Sequence, residues 1–416
     1  MSTRRAFLAS ASGLALASFV GSLRAESGAP GPQGPGVDVL GPDALPAGTL
    51  GASELSALPG KVPLIKKTWR PPNFETPVSY LREAFTPNDA FFVRYHVAAV
   101  PEIAAQQWRL KVVGDALDKP HTFTLAQLRS EFESVEVNAL CQCSGNRRGL
   151  FTPHVPGVQW GYGAMGNARW RGVRLRDVLA RAGLNKTAVE IVLDGADGAV
   201  LPATPDFLKS IPAWKAMDEN TLLAYEMNGE PLPHWNGFPL RLVVPGWTAT
   251  YWMKHLTSIR ATATPFDGFW MAKAYRVPKG LFPTVDRFLS QETEGNTPIT
   301  EMVVNSLILT PEQGARVGTG QTVEVAGIAW DGGAGIVSVD VSLDGGRSWH
   351  IADLGEDLGR FSWRQWRYLI PSARPGGYAI MARATNRLGM SQTRALLANP
   401  AGYHHNVMHR VAIQVG

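Results

Sequence analysis

Residues 141–148 read Cys-Gln-Cys-Ser-Gly-Asn-Arg-Arg and contain both cysteines of the 416-residue chain. A disulfide between residues two apart would be strained, because bridged cysteines need a specific separation of their Cα atoms. We expect the two thiols to point to opposite faces of the local backbone. A thiol beside a Gly-Asn-Arg-Arg turn favours a soft metal ligand or a nucleophile at an anion site. A buried structural thiol is the ordinary alternative.

The first 25 residues predict an export signal. Arg4 and Arg5 precede a weakly apolar stretch, residues 6–20, that is too short for a comfortable membrane span. The pattern Arg-Arg-x-Phe-Leu is typical of the twin-arginine signal. Because that route exports folded proteins, we expect a periplasmic protein whose cofactor is inserted before export.

The predicted signal accounts for much of the basic charge. Residues 1–25 hold three of the 40 basic residues and none of the 35 acidic ones, so the remaining chain carries a net charge of about +2. A charge this small provides no global field for binding nucleic acid. The sequence also predicts no membrane span.

Composition divides the rest of the chain. Residues 26–60 are rich in Gly and Pro, which predicts a linker or an extended arm. Residues 61–295 have the composition of a mixed α/β domain. Within them, an apolar face predicts a helix over residues 171–184, and short apolar runs predict buried strands at residues 189–193 and 240–244.

From about residue 300 the apolar residues recur with a period of two. Val337, Val339 and Val341 alternate with polar neighbours, and the turn residues 344–346 follow them. This pattern predicts an antiparallel β-sandwich of the immunoglobulin-like type over residues 300–416. The predicted fold class is therefore α+β, in two domains.

Other segments carry candidate anion-binding groups. Arg94 and His96 share one side of a predicted strand, where a guanidinium beside an imidazole suits an oxyanion; two solvated side chains on an exposed strand are the alternative. Arg241 and Lys254 flank the end of a predicted buried strand, where ligands often bind. Tyr275 by itself is more typical of packing.

Together these segments resemble the sulfite oxidase family of molybdenum enzymes, and most closely its periplasmic bacterial sulfite dehydrogenases. The Cys-Ser-Gly-Asn-Arg-Arg run matches the family's cysteine motif, which implies that Cys143 binds molybdenum and that Cys141 is a packing residue. The resemblance implies a molybdopterin domain at residues 61–295, followed by an immunoglobulin-like domain at residues 300–416 that often makes dimer contacts. It also implies molybdenum held by one pterin dithiolene per chain.

The same resemblance implies roles for individual residues. Arg94 would bind the oxyanion, Tyr275 would lie beside the metal, and His96 would link Arg94 to the pterin side. Arg148 and Trp160 fall on substrate-pocket positions. The implied cofactor contacts are Phe92, Val93, Arg94, Tyr95, His96, Asp194, Asn236, Arg241, Trp252, Met253 and Lys254. Asn236 stands where animal members have His, and Asp197 is the alternative to Asp194.

The implied activity is the oxidation of sulfite to sulfate. Electrons would leave singly to an external c-type cytochrome, because the sequence shows no haem domain and no Cys-x-x-Cys-His site, and we expect no haem on this chain. A homodimer and a heterodimer with a haem subunit both fit, and Tyr403, His404 and His405 are expected on a surface that such a partner covers. The alternatives are a related molybdenum oxotransferase acting on nitrate or a sulfoxide, and a non-catalytic periplasmic binding protein.

Overall fold

A computed structural model describes residues 39–40, 53–201, 203–282 and 288–416. The predicted signal, and the predicted linker apart from residues 39–40 and 53–60, lie outside the described residues. In chain order the strands are β1 Val39–Leu40, β2 Ser53–Ser56, β3 Leu64–Thr68, β4 Asn73–Glu75, β5 Val93–Arg94, β6 Leu110–Val113, β7 His121–Phe123, β8 Ser134–Gln142, β9 Met165–Arg174, β10 Glu190–Gly195, β11 Lys209–Pro212, β12 Leu222–Met227, β13 Glu230–Pro231, β14 Arg241–Val243, β15 Leu256–Thr262, β16 Arg276–Pro278, β17 Asn296–Pro298, β18 Asn305–Thr310, β19 Arg316–Val317, β20 Val323–Trp330, β21 Ile336–Ser342, β22 His350–Ile351, β23 Asp353–Leu354, β24 Arg364–Ile370, β25 Gly376–Asn386 and β26 His409–Val415.

Helices are few and short in this part of the chain. The α-helices are α1 Leu125–Glu131, α2 Leu175–Arg181, α3 Ala213–Ala216 and α4 Phe269–Ala272. The 3₁₀ helices are Val78–Leu81, Arg148–Leu150, His234–Asn236, Ala249–Tyr251 and Leu289–Gln291. The fold is therefore mostly β, and the predicted α+β class overstates its helical content. None of the described helices is long and apolar enough to cross a membrane.

The helix predicted over residues 171–184 is only partly correct. Residues 171–174 continue strand β9, which pairs with β8 on one side and β12 on the other. Helix α2 begins at Leu175 and buries Leu175, Val178 and Leu179. Ladder hydrogen bonds to two neighbouring strands outweigh the weak helix preference of the first residues, since local propensity is a small term.

Two sheets build the part of the chain between residues 110 and 262. One has the order β11-β10-β15-β6-β7, and only β15 and β6 run parallel in it. The other has the order β13-β12-β9-β8, with β14 paired to β12. The predicted strands at residues 189–193 and 240–244 are β10 and β14. Buried residues of both sheets belong to one apolar core, which fixes the end of β8.

A third sheet delivers the segment that carries Arg94. Its strands pair antiparallel in the order β1-β2-β3-β4-β5. Asn73 of β4 stands opposite Arg94 of β5. Because β5 has only two residues, the chain after Arg94 leaves the sheet and is free to turn toward the core.

The C-terminal part forms two sheets packed face to face. Their orders are β18-β20-β24-β23 and β19-β26-β25-β21-β22. One core contains Val325 and Trp366 of the first sheet together with Val339 and Ile380 of the second. The predicted period of two fails at Val337, which is 54% exposed. A register shift between residues 336 and 338 interrupts the alternation there.

The C-terminal sheets pack directly on the end of β8. The Leu140 amide donates to the Phe361 carbonyl at 2.9 Å, and Trp330 Nε1 donates to Gln142 Oε1 at 2.7 Å. Residues from both parts also share a buried apolar cluster, which includes Leu140, Tyr162, Leu307, Trp330 and Trp363. The loop that follows β8 is therefore supported from the C-terminal side.

Candidate active site

The loop after β8 holds Cys143 in a defined position. The Cys143 amide donates to the Ala164 carbonyl at 2.9 Å, and the Asn146 amide donates back to the Cys143 carbonyl at 2.9 Å. Asn146 Oδ1 accepts from the Ala164 amide at 3.1 Å. Arg147 then reverses the chain with a left-handed backbone, at a φ of 68°. These bonds fix the loop, and the Cys143 thiol, which is 7% exposed, lines a cavity.

This cavity collects residues from widely separated segments of the chain. The predicted site residues that line it are Phe92, Arg94, Tyr95, His96, Cys143, Asn236, Arg241, Trp252, Met253, Lys254 and Tyr275. Strand β14 and the loop after β8 meet here because their sheet contributes to the central core, and Phe91 and Phe92, just before β5, belong to the same core.

Four predicted site residues do not line the cavity. Val93 packs into a separate small core, and Trp160 is fully buried with no partner for its indole N–H in the described part of the chain. Arg148 does not line the cavity, but its guanidinium lies against Gly145 of the cysteine loop and its charge acts on Tyr275. Asp194 pairs within β10 just before a bulge, whereas Asp197, the predicted alternative, is buried and lines the cavity. The geometry therefore favours Asp197.

Arg94, His96 and Tyr275 form one polar end of the cavity. Arg94 Nη2 donates to Tyr275 Oη at 3.4 Å, and His96 Nε2 makes a short hydrogen bond to the same oxygen. Arg94 Nη1 donates to Asn73 Oδ1 at 3.1 Å, while the His96 ring stacks on Phe207 with centroids 3.5 Å apart. Arg94 and His96 thus share a side, and both point at Tyr275.

Burial and neighbouring cations set the protonation of this end. Burial lowers the pKa of His96 well below its ordinary value, and the charges of Arg94, Lys254 and Lys209 lower it further. Burial also raises the pKa of Tyr275, although Arg94 opposes that shift. At neutral pH the cavity therefore presents a guanidinium and a phenol beside a neutral imidazole.

A second cationic end is formed by Arg241 and Lys254. Arg241 Nη1 donates to the Asn236 carbonyl at 2.9 Å, and Nη2 lies 3.8 Å from Cys141 Sγ. Lys254 Nζ lies over the Tyr95 ring, 2.8 Å from its centroid. Burial lowers the pKa of both Arg241 and Lys254. The charge of Asp197 acts on Lys254, but neither cation makes an ion pair with a carboxylate among the described residues, so this end indicates a site for an anionic group.

Comparisons with known proteins place this arrangement in a family. The model of an oxidoreductase molybdopterin binding domain matches residues 96–270, and that of a Mo-co oxidoreductase dimerisation domain matches residues 296–416. Sulfite oxidase of Arabidopsis thaliana is 32% identical over 375 residues, which cover 86% of this chain and 92% of that protein. The chain belongs to the sulfite oxidase family.

Two further relatives agree with this membership. Mitochondrial sulfite oxidase of Drosophila melanogaster is 36% identical over 366 residues, or 83% of this chain, and the match spans 62% of the length of that protein. The solved structure of the sulfane dehydrogenase SoxCD from Paracoccus pantotrophus superposes with a TM-score of 0.71 at 26% identity. That match covers 84% of this chain and 86% of the other.

The cavity of this sulfite oxidase family member fits the molybdenum–pterin group that the family implies. Among its described lining residues, Lys254 Nζ, Arg241 Nε, Thr250 Oγ1 and Ser144 Oγ are buried without a hydrogen-bond partner. An unsatisfied buried polar group costs about 1–3 kcal/mol. A polar anionic ligand satisfies such groups, and the Cys143 thiolate is a soft ligand suited to molybdenum.

Some residues of the site differ from the sequence prediction. Cys141 lines the same cavity as Cys143, so the expectation of opposite faces is wrong: residues two apart in an extended chain project to the same side. Cys141 also packs in the central apolar core, as expected. The alternation itself could have revealed this. Tyr403, His404 and His405, expected on the surface, are each at most 8% exposed. Contacts distant in sequence bury them.

Glu75 was missed by the sequence analysis. Its carboxylate accepts from the Gly161 and Gly163 amides at 2.8 Å each, and it lies 3.0 Å from Lys67 Nζ. The Gly161 carbonyl in turn accepts from the Arg147 amide at 2.8 Å. Glu75 therefore supports the cysteine loop from behind, and no local motif marks it.

Proposed function

We propose that the protein is a sulfite dehydrogenase, which oxidises sulfite to sulfate and passes the electrons singly to an external c-type cytochrome. The observation that carries the proposal is the meeting of Cys143, Arg94 and Tyr275 at one cavity, in a chain of the sulfite oxidase family. A soft ligand beside a guanidinium and a phenol is suited to a metal that oxidises a small oxyanion.

Arg94 and Tyr275 would bind the substrate. Tyr275 Oη already accepts from Arg94 Nη2 and, with the neutral His96 protonated at Nε2, from His96 as well. An oxygen that accepts two hydrogen bonds directs its own proton away from them, here into the cavity. The phenol O–H and the guanidinium would then donate together to sulfite oxygens. A hydrogen bond to a charged group contributes about 1.5–3 kcal/mol.

The remaining lining residues would hold the cofactor. When bound, the molybdenum–pterin group supplies an oxidised metal that accepts the two electrons lost by sulfur. Cys143 would ligate the metal through its thiolate. Arg241 Nε and Lys254 Nζ, both without a hydrogen-bond partner among the described residues, would donate to the anionic and carbonyl groups of the pterin. Asp197 would balance Lys254 at the same end, since the two lie close enough to influence each other's pKa.

Several wider features belong to the same proposal. We place the mature protein in the periplasm after twin-arginine export and removal of residues 1–25, with no haem on this chain. We assign residues 61–295 to the molybdopterin domain and residues 300–416 to an immunoglobulin-like sandwich. The two face-to-face sheets support the sandwich, and the dimerisation-domain match supports assembly as a homodimer or with a haem subunit.

The match to the sulfane dehydrogenase supports a second candidate substrate. That structure shares the fold over 84% of this chain. A sulfane sulfur compound would be oxidised at the same cavity and by the same cofactor. Parallel assays with sulfite and with a sulfane donor separate the two, because the preferred substrate shows the higher kcat/KM.

One pair of measurements tests the proposal. Purified protein should contain about one molybdenum per chain and should reduce cytochrome c only when sulfite is added. Cys143→Ser should abolish this reduction. Cys141→Ser is the matched control, because it removes the other thiol of the same cavity and should retain the metal. Molybdenum-loaded protein that does not oxidise sulfite, or near-normal turnover by Cys143→Ser, would refute the assignment.

A further inference from the structure

Residues 399–403 of the C-terminal part, here called the cradle segment, are shaped around Arg148. The Ala401 carbonyl accepts from Arg148 Nε at 3.0 Å. Gly402 has a φ of 61°, and a Cβ there would lie 3.0 Å from Arg148 Cγ and 2.3 Å from Val155 Cγ2. Only glycine fits a position with both that backbone and that contact. The glycine at position 402 therefore allows the cradle segment to pack closely against Arg148, next to the cysteine loop.

Tyr403, the last residue of the cradle segment, touches two predicted substrate-site residues at once. Its ring lies parallel to that of Tyr275, with centroids 5.7 Å apart and planes at 8°. The Arg148 guanidinium carbon lies 5.1 Å from the centroid of the Tyr403 ring. Asn399 holds the Tyr403 backbone, accepting from its amide at 3.0 Å and donating to its carbonyl at 2.9 Å.

These contacts leave part of Arg148 available for an anion. Nε is satisfied by the Ala401 carbonyl, and Nη1 donates to the Val158 carbonyl at 3.3 Å. Nη2 makes no hydrogen bond within the described ranges. The guanidinium also lies against Gly145, where a Cβ would meet Nη1 at 2.5 Å, so it reaches the loop that carries Cys143. The Nη2 donor of Arg148 is thus held in a fixed position and is free to bind an anion.

We propose that Tyr403 is a positioning residue of the substrate site, its ring holding Arg148 and Tyr275 in the relative orientation that binds a tetrahedral oxyanion. The inference deepens the proposed function and rests on it for the identity of the anion, sulfite or sulfate. The ring is the acting part, because the Tyr403 hydroxyl makes no hydrogen bond to any residue of the described chain. A cation over an aromatic face is attracted by the ring quadrupole, which an aliphatic side chain lacks.

Substitutions at Tyr403 separate positioning from simple packing. Tyr403→Phe keeps the ring, whereas Tyr403→Leu keeps apolar volume and removes the ring face. Tyr403→Met also fills the space flexibly and serves if the leucine variant does not fold. Tyr368→Leu is the matched control, because Tyr368 lies in β24 of the C-terminal part, half-buried and stacked on His350, away from the cavity.

Two readouts on the cofactor-loaded enzyme test the inference. We expect Tyr403→Leu and Tyr403→Met to raise the KM for sulfite about three- to tenfold, in line with a lost cation–π contact, with a smaller fall in kcat. Sulfate should raise the Tm of wild type and of Tyr403→Phe but much less that of the leucine and methionine variants, because ligand binding stabilises the folded state.

The outcomes are distinct. A leucine or methionine variant with a wild-type KM and a wild-type sulfate-dependent rise in Tm would overturn the inference. So would a phenylalanine variant as impaired as the leucine one. If the proposed function is wrong, wild-type protein will not oxidise sulfite. The sulfate-dependent rise in Tm requires no turnover, so it would still test the role of Tyr403.

Discussion

Replacing Arg147 by Ala is expected to destabilise the protein strongly. Arg147 adjoins the predicted substrate residue Arg148, yet its own side chain points away from the cavity and is 1% exposed. Its Nη1 donates to Asn305 Oδ1 and its Nη2 to the Ser306 carbonyl at 2.8 Å, both at the start of β18. Its guanidinium carbon also lies 4.8 Å from the centroid of the Tyr162 ring. The side chain thus joins the cysteine loop to the C-terminal sheets.

The magnitude follows from these contacts. A hydrogen bond to a charged group contributes about 1.5–3 kcal/mol, and a buried cation–π contact about 2 kcal/mol. Burial opposes them, since it lowers the pKa of Arg147 to about 10. Removing the side chain takes this donor from two neutral buried acceptors, Asn305 Oδ1 and the Ser306 carbonyl, at about 1–3 kcal/mol each, so we expect a loss of about 2–5 kcal/mol. Alanine carries the same Cβ, so the left-handed backbone at Arg147 is comparably strained in both proteins.

Unfolding followed by circular dichroism at neutral pH measures this loss, on wild type and variant loaded with cofactor alike. Arg169→Ala is the matched control. The Arg169 side chain is 46% exposed and lies 3.6 Å from Glu136, so its removal should cost less than about 1 kcal/mol. If Arg147→Ala is no less stable than this control, Arg147 does not join the two parts of the chain, and the reasoning fails.

Three further predictions follow from the site and its surroundings. Arg94→Gln should raise the sulfite KM about ten- to a hundredfold with a smaller change in kcat, since one charge-assisted contact is lost; steady-state kinetics with an unchanged KM would contradict it. Lys254→Met should lower the molybdenum content per chain while leaving the circular dichroism spectrum unchanged, because Nζ makes no hydrogen bond within the described ranges; full metal content would argue against the pterin role. Acidification below pH 6.5 should lower Tm, because burial lowers the pKa of four histidines to about 3 in the folded chain. The unfolded chain then binds more protons between pH 3 and 6.5, and each histidine contributes up to about 1.4 kcal/mol per pH unit; a flat profile from pH 7 to 5 would contradict it. These histidines are His255, His404, His405 and His409.

Local patterns predicted the parts of the structure that depend on near neighbours. The apolar run at residues 189–193 forms β10, in which Ile191, Val192 and Leu193 are almost fully buried. Arg94 and His96 share a side, as the alternation predicted, and both bond to Tyr275 Oη. The motif around Cys143 predicted a turn there, and the turn is closed by a local hydrogen bond from the Asn146 amide to the Cys143 carbonyl.

Other features depend on contacts that no local pattern encodes. Residues 171–174 are strand because β8 and β12 flank them, and neither neighbour is visible in the periodicity of that segment. Tyr403 looked like a surface residue by composition, but it packs against Arg148 and Tyr275, whose positions follow from the complete fold. Asp197 rather than Asp194 lines the cavity, because the strand has a bulge after Asp194. The sequence gives no signal of this bulge.

The support of the cysteine loop by the C-terminal sheets has a consequence for the order of assembly. The loop's partners lie 158 residues further along the chain for Arg147, 188 for Gln142 and 253 for Arg148. Contacts this distant form late, because closing long loops carries an entropic cost. The loop therefore reaches its final shape only after the C-terminal sheets have folded, and until then the nascent cavity is open on that side. Pulsed hydrogen exchange during refolding should show the Leu140 amide gaining protection no earlier than the amides of β20.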